Sequence, residues 1–193
     1  LALKLSDYVV TEAGFAADLG AEKFLDFVAP TGGLFVDAVV LVASIRALKY
    51  HGGVTKGNLS QENVEAVLKG MDNLRVHIEN LQKYGVPVVV ALNRFASDTE
   101  AEVDAVMKNC PARCVLNDSF AKGSEGAMDL AQAVVEIIDN VPSNYQPILP
   151  MELPVEQKIN IIAKEIYRAG KVIYTDVAKS KLSMLRQNGF GNY

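Results

Sequence analysis

Ala38-Val39-Val40-Leu41-Val42-Ala43-Ser44-Ile45 and Val86-Pro87-Val88-Val89-Val90-Ala91-Leu92 are two nearly unbroken apolar runs, rich in valine. A strand buried on one face alternates apolar with polar residues, whereas an unbroken run suits a strand covered on both faces, as in a parallel sheet. Between the two runs, Val64, Val67, Leu68, Met71, Leu74, Ile78 and Leu81 fall on one helical stripe, with Ser60 as the expected N-cap and Gly85 near its close. That order predicts a β-α-β unit. Outward from it, Tyr8 to Val10 reads as a further strand and Cys114 to Leu116 as a short fourth. Acidic Glu100, Glu102 and Asp104 open a helix carrying Val103, Val106 and Met107, and another is expected from about Glu125 to Asn140. The alternation predicts an α/β fold over residues 1–141: a doubly wound, mostly parallel sheet with helices on both faces.

Four of the seven prolines, Pro142, Pro147, Pro150 and Pro154, then mark residues 142–154 as a linker or extended crossing segment. Beyond it, Val155, Ile159, Ile162 and Ile166 mark a helix ending at Gly170, and Thr175 caps a second ending at Gly189. Residues 155–193 therefore read as a small helical appendage, the start of a further subdomain.

The chain has 193 residues, 50% apolar and 22% charged, and a mean hydropathy of +0.14, an ordinary globular composition. At 20.9 kDa, a compact monomer would expose roughly 9,000 Å², so the core is large enough to need neither disulfide nor metal. A net charge of −4 with no basic run argues against nucleic-acid binding. The longest apolar run, Ala38 to Ala43, is far too short to span a membrane. No signal peptide opens the chain, and its two cysteines, Cys110 and Cys114, read as reduced structural thiols, which favours a cytoplasmic setting.

Ligands of α/β proteins sit at the carboxyl ends of strands, so the segments after the expected strands are the candidate sites. After Tyr8–Val10 comes Thr11-Glu12-Ala13-Gly14-Phe15-Ala16-Ala17-Asp18-Leu19-Gly20-Ala21-Glu22-Lys23, which could offer backbone N–H groups and Lys23 to an anion, or be a turn into a helix. After the Ala38 run, Arg46-Ala47-Leu48-Lys49-Tyr50-His51-Gly52-Gly53 clusters three cations and two glycines, as an anion site or a basic surface turn. After the Val86 run, Asn93-Arg94-Phe95-Ala96-Ser97-Asp98 resembles an N-K-x-D guanine reader but has Ala96 where the acid is required. Phe95 and Phe120 each follow an apolar strand, where a ring-stacking platform competes with domain-interface packing. No metal-ligand spacing, no G-x-S-x-G elbow and no G-x-x-x-x-G-K-[ST] loop occurs.

Val42-Ala43-Ser44-Ile45-Arg46-Ala47-Leu48-Lys49-Tyr50-His51-Gly52-Gly53 closely resembles a signature of formate–tetrahydrofolate ligases. Tyr8 to Phe24, Gly85 to Phe95, Asp98 to Glu102 and Ala121 to Gly123 extend the resemblance along essentially the whole chain. The resemblance implies a P-loop-type core and an ATP- and Mg²⁺-dependent ligase, commonly a homotetramer. It joins formate to tetrahydrofolate through formyl phosphate, giving 10-formyltetrahydrofolate, ADP and phosphate. It further implies a central-to-C-terminal excerpt lacking the P-loop segment, which by itself would be inactive. The residue assignments it suggests are Arg46, Lys23 and Lys49 for catalysis, Phe95, Phe120 and Asp98 for folate, and Gly14, Phe15, Ala16 and Gly20 for formyl phosphate. A different class stays open: an incomplete paralogue or fragment acting as a folate-binding or assembly module.

Two departures bear on those assignments. The family usually reads G-F-G-A-D-L-G where this chain has Ala16 in the middle position, adding a Cβ. It usually reads W-A-K-G where this chain has Phe120-Ala121-Lys122-Gly123, which keeps a stacking face and loses the indole.

Overall fold

The computed structural model describes residues 1–192. Three strands, β1 (Val39–Ser44), β2 (Val88–Asn93) and β3 (Arg113–Asn117), form one all-parallel sheet in the order β1-β2-β3. Val89 stands beside Val40 on one side and Arg113 on the other, so β2 is central, and Val88 to Leu92 are buried. The helices are α1 (Ala29–Gly32), α2 (Ile45–His51), α3 (Val64–Gln82), α4 (Glu100–Asn109), α5 (Ser119–Lys122), α6 (Met128–Asn140), α7 (Val155–Glu165) and α8 (Asp176–Gln187). No helix among the described residues is long and apolar enough to cross a membrane.

Local chemistry explains where these helices start. Ser44 Oγ accepts from the Ala47 N–H and begins α2 at the last residue of β1. The N-cap of α3 is Asn63 rather than Ser60: its side chain accepts from the Ala66 N–H at 2.9 Å. Thr99 and Glu102 close a capping box on α4, and Thr175 caps α8 as its sequence suggests.

One face of the sheet packs on α2, α3 and α4 through Ile45, Leu48, Val67, Met71, Leu74, Ile78, Val90, Leu92, Val103 and Val106. Close approach of α2 and α3 depends on Gly70, where a Cβ would fall 2.0 Å from the Leu48 carbonyl oxygen. On the other face α6 touches β2 and β3, while Val40 and Val42 of β1 stay 40% and 60% exposed. A second core lies at the amino ends of the strands, where Leu25, Ala29, Leu81, Tyr84, Val86, Val88, Tyr145 and Ile166 meet. The chain exposes 11,920 Å², more than the roughly 9,000 Å² of a compact monomer. The bare face of β1 and the exposed N-terminal arm account for the direction of that excess.

Two expectations change. Tyr8–Val10 is an exposed, irregular segment, not a strand: no strand of the sheet pairs with it, so its apolar side chains gain no cover. The Arg46–Gly53 stretch is mostly helix rather than turn, because Ser44 caps it and Ile45 and Leu48 drive it onto the core. Residues 142–154 are an extended crossing tied to the body, with Asn144 and Gln146 N–H groups donating to the Gly85 and Tyr84 carbonyls. The helices beyond it are also docked, since Asn80 donates to the Ile166 carbonyl at 2.9 Å.

Lys49 and Glu102 are both fully buried, with Nζ 2.9 Å from Oε1. Lys49 also donates to the Gln61 carbonyl, and the Glu102 carboxylate accepts from the N–H groups of Asn63 and Thr99. Burial alone would raise the Glu102 pKa, but these donors and the ammonium hold it below the ordinary value. Lys49→Met leaves a buried carboxylate without its cation and should cost about 3–5 kcal/mol, read as the shift in denaturant midpoint. An unchanged midpoint would contradict the stated role.

Glu22 and Asp26 share the second core. Asp26 accepts from Tyr84 OH at 2.7 Å and from the N–H groups of Ile148 and Leu149, whereas Glu22 Oε1 is buried without a partner. Burial first, then the neighbouring Asp26 carboxylate, pushes Glu22 up to about 7 from 4.5. The folded state therefore binds more protons than the unfolded state between pH 4.5 and 7, and loses stability as pH rises through that window. Glu22→Gln should stabilise the fold at pH 8 by on the order of 2 kcal/mol and leave stability at pH 4 nearly unchanged, measured by urea unfolding at both values.

Candidate functional site

The carboxyl ends of all three strands converge on one cleft of about 460 Å³, lined by Arg46, Arg94, Phe95, Ala96, Ser97, Asp118, Phe120 and Ala121. Each contribution follows from strand-to-helix topology. Arg46 lies in the first turn of α2 after β1, Arg94 to Ser97 follow β2, and Asp118 to Ala121 follow β3. A parallel sheet delivers three loops to one edge in this way, and open α/β sheets bind ligands there.

Hydrogen bonds fix the edge. Asn117 Nδ2 donates to Asn93 Oδ1 at 2.7 Å, and the Arg94 N–H donates to the Asn117 carbonyl, so the β2 and β3 loops leave as a pair. The Phe95 N–H donates to Asp98 Oδ2 at 2.9 Å and closes the turn that carries the ring. Burial raises the Asp98 pKa, opposed first by that Phe95 N–H and then by the Lys49 charge. On the β3 side, the Asp118 N–H donates to the Gly126 carbonyl.

The cleft offers two apolar rings and one unpaired cation. Phe120 is 95% exposed and Phe95 41% exposed, values that leave their faces open to a ligand. The Arg46 guanidinium lies 5.8 Å from the Phe95 ring centroid and has no carboxylate partner among the described residues. Arg94 is paired with Glu100, and Asp118 with Lys122. Such a surface can stack a flat conjugated ring and attract one anionic group.

Of the residues expected from sequence, Arg46, Phe95 and Phe120 come together here. Asp98 lies behind them as the carboxylate that holds the Phe95 turn. Lys49 is one helical turn from Arg46 but faces inward to Glu102, so its charge is already neutralised. Lys23, Gly14, Phe15, Ala16 and Gly20 belong to a helical stretch and its approach near the other edge. Residues 16–32 form successive wide and regular turns whose Ala17, Ala21, Leu25 and Ala29 pack with Tyr84 and Val88 at the amino end of β2. A six-residue strand separates the two edges by roughly 20 Å. A strand at Tyr8 would have delivered the Gly14–Gly20 segment to the carboxyl edge, and that strand does not form. Lys23 and Phe15 are exposed. Gly20 is needed for packing, since a Cβ there would fall 1.6 Å from the Gly14 carbonyl oxygen. Arg94, Ser97 and Asp118 were not singled out as ligand contacts; their place immediately after strands was the signal that could have found them.

The fold and cleft define an α/β protein with an open cleft at the carboxyl edge of a parallel sheet. The sequence matches the formate–tetrahydrofolate ligase family model over residues 1–193. The chain belongs to that family. It is 79% identical to a formate–tetrahydrofolate ligase of Fervidobacterium nodosum over 193 residues, covering all of this chain and 35% of that relative. It is 65% identical to one of Thermosipho africanus over 98% of this chain and 34% of the relative, and 54% identical to one of Thermotoga maritima over 98% and 35%. The chain thus spans about a third of the length of these relatives.

Ala16 has φ of 68°, in the left-handed region where a Cβ is strained and glycine is not. The departure from the glycine usual in the family therefore carries a backbone cost. Ala16→Gly should raise stability by about 1 kcal/mol, seen as a higher thermal midpoint; a lower midpoint would show that the Ala16 side chain outweighs its strain.

Proposed function

We propose that this chain supplies the folate-binding part of an ATP-dependent ligase that joins formate to tetrahydrofolate through formyl phosphate, giving 10-formyltetrahydrofolate, ADP and phosphate. The observation that carries the reading is the convergence of Phe95, Phe120 and Arg46 on one cleft. Phe95 and Phe120 offer apolar faces for the conjugated rings of the folate. Arg46 attracts a carboxylate of the folate tail or the oxygens of formyl phosphate, and Asp98 keeps the Phe95 turn closed. Formyl transfer needs an amine held against an activated acyl group, so positioning by these rings and charge stabilisation by Arg46 are the contributions asked of this chain.

ATP and Mg²⁺ do not fit the residues present. The sequence has no Walker A loop, and among the described residues no three His, Cys, Asp or Glu side chains group to hold a metal ion. In this reading nucleotide binding belongs to the remainder of a polypeptide about three times as long, the P-loop-type core and homotetramer belong to that whole, and it works in the cytoplasm. Lys23 and the Gly14–Gly20 segment, exposed in part near the opposite edge, are second to Arg46 as candidates for formyl phosphate.

Phe95→Ala and Phe120→Ala should each weaken tetrahydrofolate binding to this chain by roughly tenfold, about 1.4 kcal/mol, in a calorimetric titration. Phe120→Trp should restore or tighten it through a larger stacking face. In the complete ligase, Arg46→Ala should lower turnover by about 2–4 kcal/mol of activation energy with a smaller loss of stability. Unchanged affinity in both phenylalanine variants would remove the cleft from the folate site.

A further inference from the structure

Asp118 is, among the described residues, the one acidic side chain lining the cleft, two positions before Phe120. Its backbone is held on three sides: its N–H donates to the Gly126 carbonyl, and its carbonyl accepts from the N–H groups of Ala121 and Lys122. Gly126 approaches so closely that a Cβ there would fall 2.4 Å from the Asp118 carbonyl oxygen. Asp118 is also the N-cap of α5, where an aspartate ordinarily bonds a backbone N–H of its own helix. It makes no such bond, and Asn117 Oδ1 accepts from the Ser119 N–H instead, at 3.3 Å. The fold therefore fixes the residue without using its carboxylate. The partner it does have is Lys122, with Nζ 2.9 Å from Oδ2, and that lysine is 62% exposed while Asp118 is only 18% exposed. Among the described residues nothing bonds to Oδ1.

We propose that Asp118 sets the specificity of the cleft, its carboxylate accepting hydrogen bonds from the 2-amino group and the N3–H of a reduced pterin ring, an inference that rests on the folate reading of the cleft. That ring carries two N–H donors side by side on one edge. A carboxylate only accepts, and its charge-assisted bonds are the strong ones. Oδ1 is open to the first donor, and Oδ2 keeps a lone pair for the second beside Lys122. The faces of Phe95 and Phe120 hold any flat conjugated ring, whatever its edge carries. Discrimination belongs to Asp118, because a ring with an acceptor or a methyl group in place of the amino donor leaves a charge in the cleft unanswered. Asp118 follows β3 and Arg46 follows β1, with β2 between them. Two strand spacings, roughly 10 Å, separate those strand ends, so a ring whose donor edge rests at Asp118 extends its other end, with N10, toward the Arg46 side.

The test titrates the full chain calorimetrically with tetrahydrofolate and with 2-desamino-2-methyltetrahydrofolate, in which a methyl group replaces the 2-amino donor. The unaltered chain should bind the analogue about thirtyfold more weakly. Asp118→Asn and Asp118→Ala should each weaken tetrahydrofolate about thirtyfold but the analogue only about threefold, through its remaining N3–H, so the preference falls to about threefold. Any change in the field of Lys122 acts on both ligands alike, and the ratio isolates the bond to the amino group. The thermal midpoints of the variants should stay close to that of the unaltered chain, since an exposed ion pair contributes little to stability. Equal affinity for the two ligands in the unaltered chain, or a preference undiminished in both variants, would overturn the proposal and leave the folate reading standing. Binding of neither ligand by the unaltered chain would overturn both.

Discussion

The buried contact between Lys49 and Glu102 ties together the segments that make the site. Lys49 comes from α2, Glu102 from α4, and the carboxylate also accepts from Asn63, the N-cap of α3. Three helices that arise from different stretches of sequence thus meet at one charge pair on the carboxyl side of the sheet. Neither charge has water to solvate it, so each depends on the other and on the backbone groups around them. Glu102 further holds the Thr99 N–H, which begins α4, and the turn immediately before it carries Phe95 and Asp98. Lys49, one helical turn after Arg46, anchors the short helix that presents the guanidinium. The rings and the cation of the cleft are placed by a buried polar contact that does not line it.

Polar groups divide between the two edges of the sheet in different ways. At the carboxyl edge, carboxylates are matched by cations or N–H donors, leaving Arg46 as the charge turned toward solvent. At the amino edge, Glu22 and Asp26 share an apolar pocket with Tyr84 and Tyr145, and among the described residues no cation is paired with either carboxylate. Asp26 nevertheless joins three pieces of chain: its own helix, the end of α3 through Tyr84, and the crossing segment through Ile148 and Leu149. This explains why a proline-rich stretch that reads as a linker is held against the body. Proline removes its own donors, and the N–H groups between the prolines are those that bond to Asp26, Gly85 and Tyr84.

Much of the sheet and its helices was legible because periodicity and capping are local. The Ala38 and Val86 runs became β1 and β2, the Cys114 run became β3, and the stripe from Val64 to Leu81 became α3. Phe95 and Phe120 were legible as neighbours from topology alone, since each follows a strand of a parallel sheet. The Tyr8 run failed for a physical reason: three apolar residues make a strand only where another strand offers them hydrogen bonds, and among the described residues none does so. The sequence places Lys49 with Arg46 among the candidate catalytic cations, because a lysine in a basic stretch usually reaches solvent or a ligand. Its partner lies 53 residues further on, a pairing that spacing cannot reveal.

By itself the sequence determined the strand and helix pattern, the parallel order of the central β-α-β unit and the family, because these depend on local periodicity and on residues read in register. Tertiary structure alone decided which cations were free and which edge each glycine-bearing segment served. Those outcomes depend on burial and on distance between segments remote in sequence, and a charge acquires its chemistry from what surrounds it.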